Sequence, residues 1–257
     1  VEGHQVIRGV EVVEKFWREL DYLDFARRLE RVATVAKDED VFLVTTADGL
    51  ELPARSVILA TGSRIQQLEV PGERDFIGRG LSYSALSYAP LFVSKRAAVI
   101  GDAKLALRAV AELALVASTV HFIVPVPTYD VLDTPLIRKL ANSLKVVMWE
   151  GYRVKAIAGN DFANRVVLET EAGRECYIDV DGIFVELGLL PNSGPVEGLA
   201  DLDSEGFVVI DNLNRTSCPG LFAAGDVTNA YTEQVLIAVG EGAKASLGAH
   251  EYLLPML

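Results

Sequence analysis

Cysteine is nearly absent: Cys176 and Cys218 are the two in 257 residues. That rules out a disulfide-stapled framework and suits a reducing compartment, so a cytoplasmic location is expected. Basic residues are also short, 24 Lys and Arg against 36 Asp and Glu, for a formal net charge of −12. A surface of that sign repels nucleic acid and anionic lipid, and neither is expected as a partner. No apolar run approaches the roughly 20 residues a bilayer-spanning helix needs, and no secretion-signal pattern is seen. The histidines, His4, His121 and His250, stand singly, with no spacing for a metal site or a triad, so no metal is expected. What remains is half apolar, 50%, enough for one large or two modest packed domains.

Apolar periodicity orders the chain. Val13, Phe16, Trp17 and Leu20 fall at i, i+3, i+4 and i+7, one face of a helix over residues 9–20. A strand follows at 41–46, then the turn residues Asp48-Gly49 and a second strand ending at 56–60. From residue 97 strands and helices alternate: strand 97–100, helix 103–116, strand 120–124, helix 135–143, strand 145–149. Such alternation indicates a parallel sheet with crossover connections. Between residues 152 and 179 extended segments broken by Asn160-Asp161 and Ala172-Gly173 suggest a small antiparallel flap. A buried strand at 183–185 runs into Gly188-Leu189-Leu190-Pro191-Asn192, and a last strand at 221–224 leads through Gly225-Asp226 to a long helix ending near 254.

Three patterns carry chemistry. Ala60-Thr61-Gly62 closes a strand. Pro219-Gly220-Leu221-Phe222-Ala223-Ala224-Gly225-Asp226 ends a strand at a Gly-Asp pair, with Gln234 just beyond. Between them Gly78-Arg79-Gly80, then Leu81-Ser82-Tyr83-Ser84-Ala85-Leu86-Ser87-Tyr88, precedes the strand at 97–100. Together and in this order they resemble the thioredoxin reductase family of FAD-dependent pyridine nucleotide-disulfide oxidoreductases. The resemblance implies an α/β fold of two Rossmann-like three-layer nucleotide-binding domains with a small antiparallel β flap. It divides the chain into an FAD-binding-like domain, residues 1–76 plus 191–257, and a degenerate NAD(P)-binding-like domain, residues 77–190.

It further implies that Ala60, Thr61, Gly62, Gly225, Asp226 and Gln234 bind FAD, Asp226 accepting hydrogen bonds from the ribityl chain and Gln234 abutting the flavin ring. Gly225 lets backbone approach the cofactor closely. Glu233 stands where the family usually has Arg, placing negative charge near the cofactor edge. The family begins with a strand, a Gly-x-Gly-x-x-Gly turn and a helix that bind the FAD pyrophosphate. Here the resemblance starts near Gly9 without that first βα unit, and a trimmed or cleaved chain is expected.

The dithiol tetrad Cys-x-x-Cys of the family reads Ser84-Ala85-Leu86-Ser87, and a hydroxyl cannot exchange disulfides as a thiolate does. No catalytic residue is therefore assigned. Tyr83 and Tyr88 flank the tetrad and either stack on a flavin or fill space. The second dinucleotide turn, Gly-x-Gly-x-x-Ala, reads Gly101-Asp102-Ala103-Lys104-Leu105-Ala106. Gly101 and Ala106 survive in kind. Ala103 puts a methyl where a pyrophosphate meets bare backbone, and Asp102 fills the helix mouth as a capping carboxylate does. The arginines that grip a 2′-phosphate are replaced by Val124-Pro125-Val126. Lys104 and Arg108 are the two helix cations open to a phosphate, with Arg108 read first as a residue of a solvated face. NADPH binding is not expected.

Cys176 in its half-buried strand is read as a small hydrophobe and Cys218 as a turn residue before Pro219-Gly220, neither at the family's redox position. Three functions follow from the resemblance. One is a flavin-binding or regulatory pseudoenzyme without dithiol chemistry. Another is an FAD-dependent oxidoreductase passing electrons directly from flavin to an acceptor other than thioredoxin. The third is a structural dimerisation partner. A homodimer and a single domain arrangement are expected in each.

Overall fold

The computed structural model describes residues 9–101, 104–124, 135, 139–140, 142–230 and 234–256. It is a mixed α/β fold. Its centre is a five-stranded parallel sheet in the order β6 (Leu81–Ser82), β13 (Gly182–Val185), β7 (Arg96–Ile100), β8 (Thr119–Val124), β9 (Val146–Glu150). The near-continuous apolar runs of β7 and β13 are what a parallel strand covered on both faces requires. Alternate residues divide between the faces. Ala97 and Val99 of β7 pack with Val120 and Phe122 of β8 against α3 (Lys104–Val116), which lays Ala106, Leu107, Val110 and Leu113 on them. Ala98, Ile100 and Ile123 face the other way. They meet Val154, Ile157, Val166 and Leu168 of the antiparallel flap formed by β10 (Tyr152–Gly159), β11 (Ala163–Thr170) and β12 (Glu175–Asp179). The flap falls where the sequence pattern placed it, and its outer face is tied by Arg165 to Asp179 and by Lys155 to Glu169 and Glu175.

A second body of strands lies before and after this sheet in the chain. β1 (Val32–Asp38), β2 (Val41–Thr46) and β3 (Glu51–Ala54) form an antiparallel sheet. β1 escapes the sequence pattern because only Val35 of its seven residues is buried, so no alternation shows. The expected second strand is two strands. β3 stays with β2, with Pro53 on the edge where a missing N–H costs nothing. After Arg55-Ser56 the chain turns into β4 (Val57–Leu59), which pairs in parallel with β15 (Leu221–Ala223). The Ser56 hydroxyl and the Val57 N–H both donate to the Gly220 carbonyl, at 2.9 and 3.1 Å, and fix that switch. Behind it Phe42, Leu59, Val208, Leu221, Ala223 and Val227 form one apolar cluster. A ribbon of β5 (Ser63–Ile65) against β14 (Leu189–Pro191) joins the two bodies.

α1 (Gly9–Tyr22) is helical as its spacing predicts, yet it buries no residue: Phe16 is 42% and Trp17 51% exposed. α2 is one turn, Ala85–Tyr88, and α4 is the long Val235–Leu253. The helix expected at 135–143 falls mostly outside the described residues. Among the described residues no helix is long and apolar enough to cross a membrane.

One polar contact inside the sheet makes stability depend on pH. The Trp149 indole N–H donates to Nδ1 of His121 at 3.1 Å, so the imidazole must be neutral there. Burial pulls His121 below its ordinary value of 6.5, and the charge of Arg96 adds to this. The unfolded chain thus binds the proton more readily than the folded one, and stability falls as pH drops through about 6.5. Thermal melts between about pH 7.5 and 5 should show this decline, and His121→Gln should flatten it. The carboxylates of Asp48, Asp179, Asp181 and Asp211 are held below their ordinary value of 3.8 and that of Glu169 below 4.5, so their contribution is lost only as pH falls below about 5, past the acid end of the window.

Candidate functional site

A cavity of about 450 Å³ opens between the parallel sheet and the Gly-Asp turn. Ser84 and Ser87 line it, as do Leu105 and Arg108 of α3 and Asp226 and Gln234 from the Gly-Asp end of the chain. Ser63, Gly188 and Leu189, from and beside the β5–β14 ribbon, complete it. Its volume is within the range of small-molecule sites, roughly 300–1,000 Å³.

The serine tetrad opens α2, as the sequence implies. Ser84 has extended backbone at φ −145° and makes no side-chain cap. Its hydroxyl instead meets that of Ser87 at 2.9 Å. The free N–H of Ala85 donates to Oε1 of Glu186 at 2.7 Å, which ties the turn to the end of β13. Glu186 also lines the cavity.

Two buried carboxylates, neither apparent in the sequence, hold the walls. Glu73 is 1% exposed, and accepts from the N–H groups of Leu68 and Glu69 at 2.8 and 2.7 Å and from the Tyr83 hydroxyl at 2.9 Å. Burial, and then the bond to Glu73, pushes the Tyr83 phenol well above its ordinary value. Tyr83 is thus a fixed neutral donor on the cavity wall beside Ser84.

Glu241 is 8% exposed and accepts the Gly225 N–H at 2.7 Å, with the Thr228 hydroxyl at 3.2 Å. Gly225 has φ +76°, the left-handed conformation that favours glycine. Its N–H is turned onto α4, which leaves Asp226, half-buried, facing the cavity.

Of the other expected residues that are described, Ala60, Thr61, Gly62, Gly101, Ala106 and Gly225 do not line it. Thr61 and Asn192 clasp each other, Thr61 Oγ1 donating to the Asn192 carbonyl at 2.8 Å and Asn192 Nδ2 to the Thr61 carbonyl at 3.0 Å. This clasp holds residues 60–62 against the start of the ribbon. Gly101 stands at the end of β7 over Ala106: a Cβ on Gly101 would lie 2.8 Å from the Ala106 Cβ and 2.3 Å from the Glu186 carbonyl oxygen. Asp102, Ala103, Pro125, Val126, Glu233 and His4 lie outside the described residues. Arg108, expected on a solvated face, is exposed and also borders the cavity, in a stripe with Leu105 and Ala109 at i−3 and i+1. Cys176 is half-buried in the flap and Cys218 buried beneath β15, both away from the cavity.

These elements define a Rossmann-type α/β protein whose cavity lies where strand ends meet. A sequence model of the pyridine nucleotide-disulphide oxidoreductase family matches residues 7–242. The chain is 33% identical over 255 residues to an NADH dehydrogenase of Bacillus subtilis, covering 98% of this chain and 48% of that protein. It is 38% identical over 216 residues to a subunit of alkyl hydroperoxide reductase from Pseudomonas putida, covering 82% and 41%. Thus the chain spans about half the length of the curated relatives it matches. Among solved structures, thioredoxin reductase from Streptococcus pyogenes superposes with a TM-score of 0.86 at 31% identity, covering 98% of this chain and 83% of that one. The chain belongs to the pyridine nucleotide-disulphide oxidoreductase family and is thioredoxin reductase-like within it.

Proposed function

We propose that the chain is a thioredoxin reductase-like flavin scaffold from which the disulfide relay has been lost, a pseudoenzyme toward thioredoxin. The observation that carries this is the shared cavity: Ser84 and Ser87, at the dithiol positions of the family pattern, line it together with Asp226 and Gln234. In this reading residues 1–76 and 191–257 form the FAD side and residues 77–190 the degenerate nucleotide side. The residues present suit a flavin's sugar-alcohol chain and ring: a half-buried carboxylate acceptor, an amide, and apolar walls in a cavity of about 450 Å³. Bound FAD would supply two-electron redox chemistry. Asp226 would hold the ribityl hydroxyls and Gln234 the ring edge, with Ala60, Thr61, Gly62 and Gly225 forming the backbone around them. The serine hydroxyls can hydrogen-bond there but cannot take up electrons as a disulfide does.

The open cavity favours a second reading, an oxidoreductase whose acceptor enters this space directly. The names of the relatives, an NADH dehydrogenase and part of a hydroperoxide reductase, support redox chemistry with varied acceptors. A homodimer and a cytoplasmic setting belong to the same proposal, on the resemblance alone.

The purified protein should show a bound-flavin absorption band and no thioredoxin reduction above background with NADPH. A colourless protein, or thioredoxin reduction by the wild type, would overturn the proposal. Anaerobic bleaching of the band by NADPH or NADH would select the second reading.

A further inference from the structure

Two elements supply the Gly-Asp end of the cavity, and apolar packing fixes only the first of them. Asp226 stands on the turn after β15, which the fully buried Val227 anchors, while Gln234 is the N-cap of α4. The C-terminal half of α4 is seated on β15 by Ala245 and Ala249, which pack with Phe222 and Ala224. The N-terminal turns are not seated that way. Val235, Leu236 and Val239 are 60%, 73% and 47% exposed, and Glu241 is the first buried residue along the helix. Gln234, Ala238, Glu241 and Ala245 fall at i, i+4, i+7 and i+11, one helical face. That face meets the turn at Gly225, where a Cβ would lie 3.4 Å from the Ala238 Cβ. The polar link is Glu241. Its Oε2 accepts the Gly225 N–H at 2.7 Å and lies 3.2 Å from the Thr228 hydroxyl, which also donates to the Gly225 carbonyl at 2.8 Å. A carboxylate kept at 8% exposure is costly unless hydrogen-bonded, and both partners here belong to the turn that carries Asp226.

We infer that Glu241 is a positioning residue of this site: it locks the first turns of α4 to the Gly-Asp turn, and so fixes Gln234 and Asp226 as a pair for a flavin to engage. The inference rests on the proposal that the cavity takes FAD, and it assigns that site a residue outside its lining. Gln234 stands two helical turns, about 10 Å, from Glu241, so a pivot there is carried to the end of the helix. With Glu241 released, no buried side chain among residues 234–240 holds those turns, and Gln234 shifts relative to Asp226. Glutamine in its place keeps the link, since its carbonyl oxygen accepts the Gly225 N–H and its amide donates to the Thr228 oxygen. A positioning role therefore survives Glu241→Gln and is lost in Glu241→Ala, whereas a role for the charge is lost in both.

FAD is the probe, titrated into the flavin-free full-length protein. Affinity is read from the change in flavin fluorescence, and the surroundings of the ring from the visible circular dichroism of the bound flavin. Glu241→Ala should weaken FAD roughly ten- to hundredfold and alter the dichroism, while Glu241→Gln should weaken it a few-fold at most and keep the wild-type band. Thr228→Val, which removes the second partner, should weaken FAD a few-fold, and it carries the test if the alanine variant does not fold. Gly248→Ala is the control for stability alone, since its Cβ would meet the Phe222 ring at 2.8 Å on the other half of α4. It should lower the melting temperature and leave FAD affinity unchanged below the melt; a merely structural Glu241 would behave like it. Unchanged affinity in Glu241→Ala overturns the inference, as does a glutamine variant as weak as the alanine one or, where alanine does not fold, unchanged affinity in Thr228→Val. Wild type that takes up no FAD sinks the flavin reading beneath, whereas wild type and Glu241→Ala binding FAD equally sink the positioning role alone.

Discussion

Glu73→Ala should destabilise the fold by about 3–5 kcal/mol, and so lower the melting temperature by on the order of 10 °C. The reason is the number of donors left behind. The Glu73 carboxylate is 1% exposed and accepts from two backbone N–H groups and one phenol. Removing it strands all three; Leu68 and Tyr83 are half-buried and Glu69 is exposed, so each stranded donor costs toward the lower end of about 1–3 kcal/mol. Among the described residues no basic side chain forms an ion pair with Glu73, so the alanine variant leaves no unpaired cation to complicate the result. Glu73 follows Gly72, at φ +84°, where a Cβ would fall 2.0 Å from the Ile157 carbonyl oxygen. The turn is therefore pressed against the flap and has little room to bring water to the stranded groups. Tyr83→Phe removes one donor together with its need for an acceptor, and should cost only about 1 kcal/mol. Urea or thermal unfolding of both variants checks the ratio; equal losses would show that the phenol alone matters. Since Tyr83 precedes Ser84, Glu73→Ala should also loosen the tetrad at the cavity wall.

What was legible in the sequence follows from what a linear pattern can encode. The parallel sheet was visible because strands buried on both faces need continuous apolar runs, as in residues 97–100 and 183–185. The flap was visible because turn residues punctuate its strands. β1 was not, since a strand with one buried residue has no period to detect. β5 and β14 are three residues each and exist only because the chain returns after more than a hundred residues to pair with itself. Ser84, Ser87, Asp226 and Gln234 were each singled out by pattern, and the structure brings them to one cavity. Glu73 and Glu241 were missed because a buried acceptor looks like any surface carboxylate in sequence, and their partners are mostly backbone N–H groups, which every residue but proline carries. Arg108 is exposed, as its reading on a solvated face expects, and it also borders the cavity with Leu105 and Ala109.

Gly101→Ala should be the most damaging single methyl in the nucleotide-side sheet. The added Cβ would lie 2.3 Å from the Glu186 carbonyl oxygen and 2.8 Å from the Ala106 Cβ, and the first of these is backbone that cannot rotate away. Glu186 is itself pinned, its N–H donating to the Ile100 carbonyl at 2.8 Å and its carboxylate holding α2. Relief requires β7 and β13 to part, at about 3 kcal/mol or more, and the variant should lose most of its cooperative unfolding transition. A melt within about 2 °C of wild type would contradict this packing. The consequence reaches the nucleotide question. Gly101 and Ala106 are the two motif residues that survive in Gly101-Asp102-Ala103-Lys104-Leu105-Ala106, and both are demanded by close contact between strand end and helix whether or not a dinucleotide binds. Their presence therefore carries no weight for NADPH. The weight lies on the middle position of the motif, where Ala103 stands. Ala103→Gly, alone or with Asp102→Gly, should leave the melt within about 1 kcal/mol of wild type. If nucleotide then bleaches bound flavin in that variant and not in the wild type, the loss of this half of the cycle comes down to those side chains.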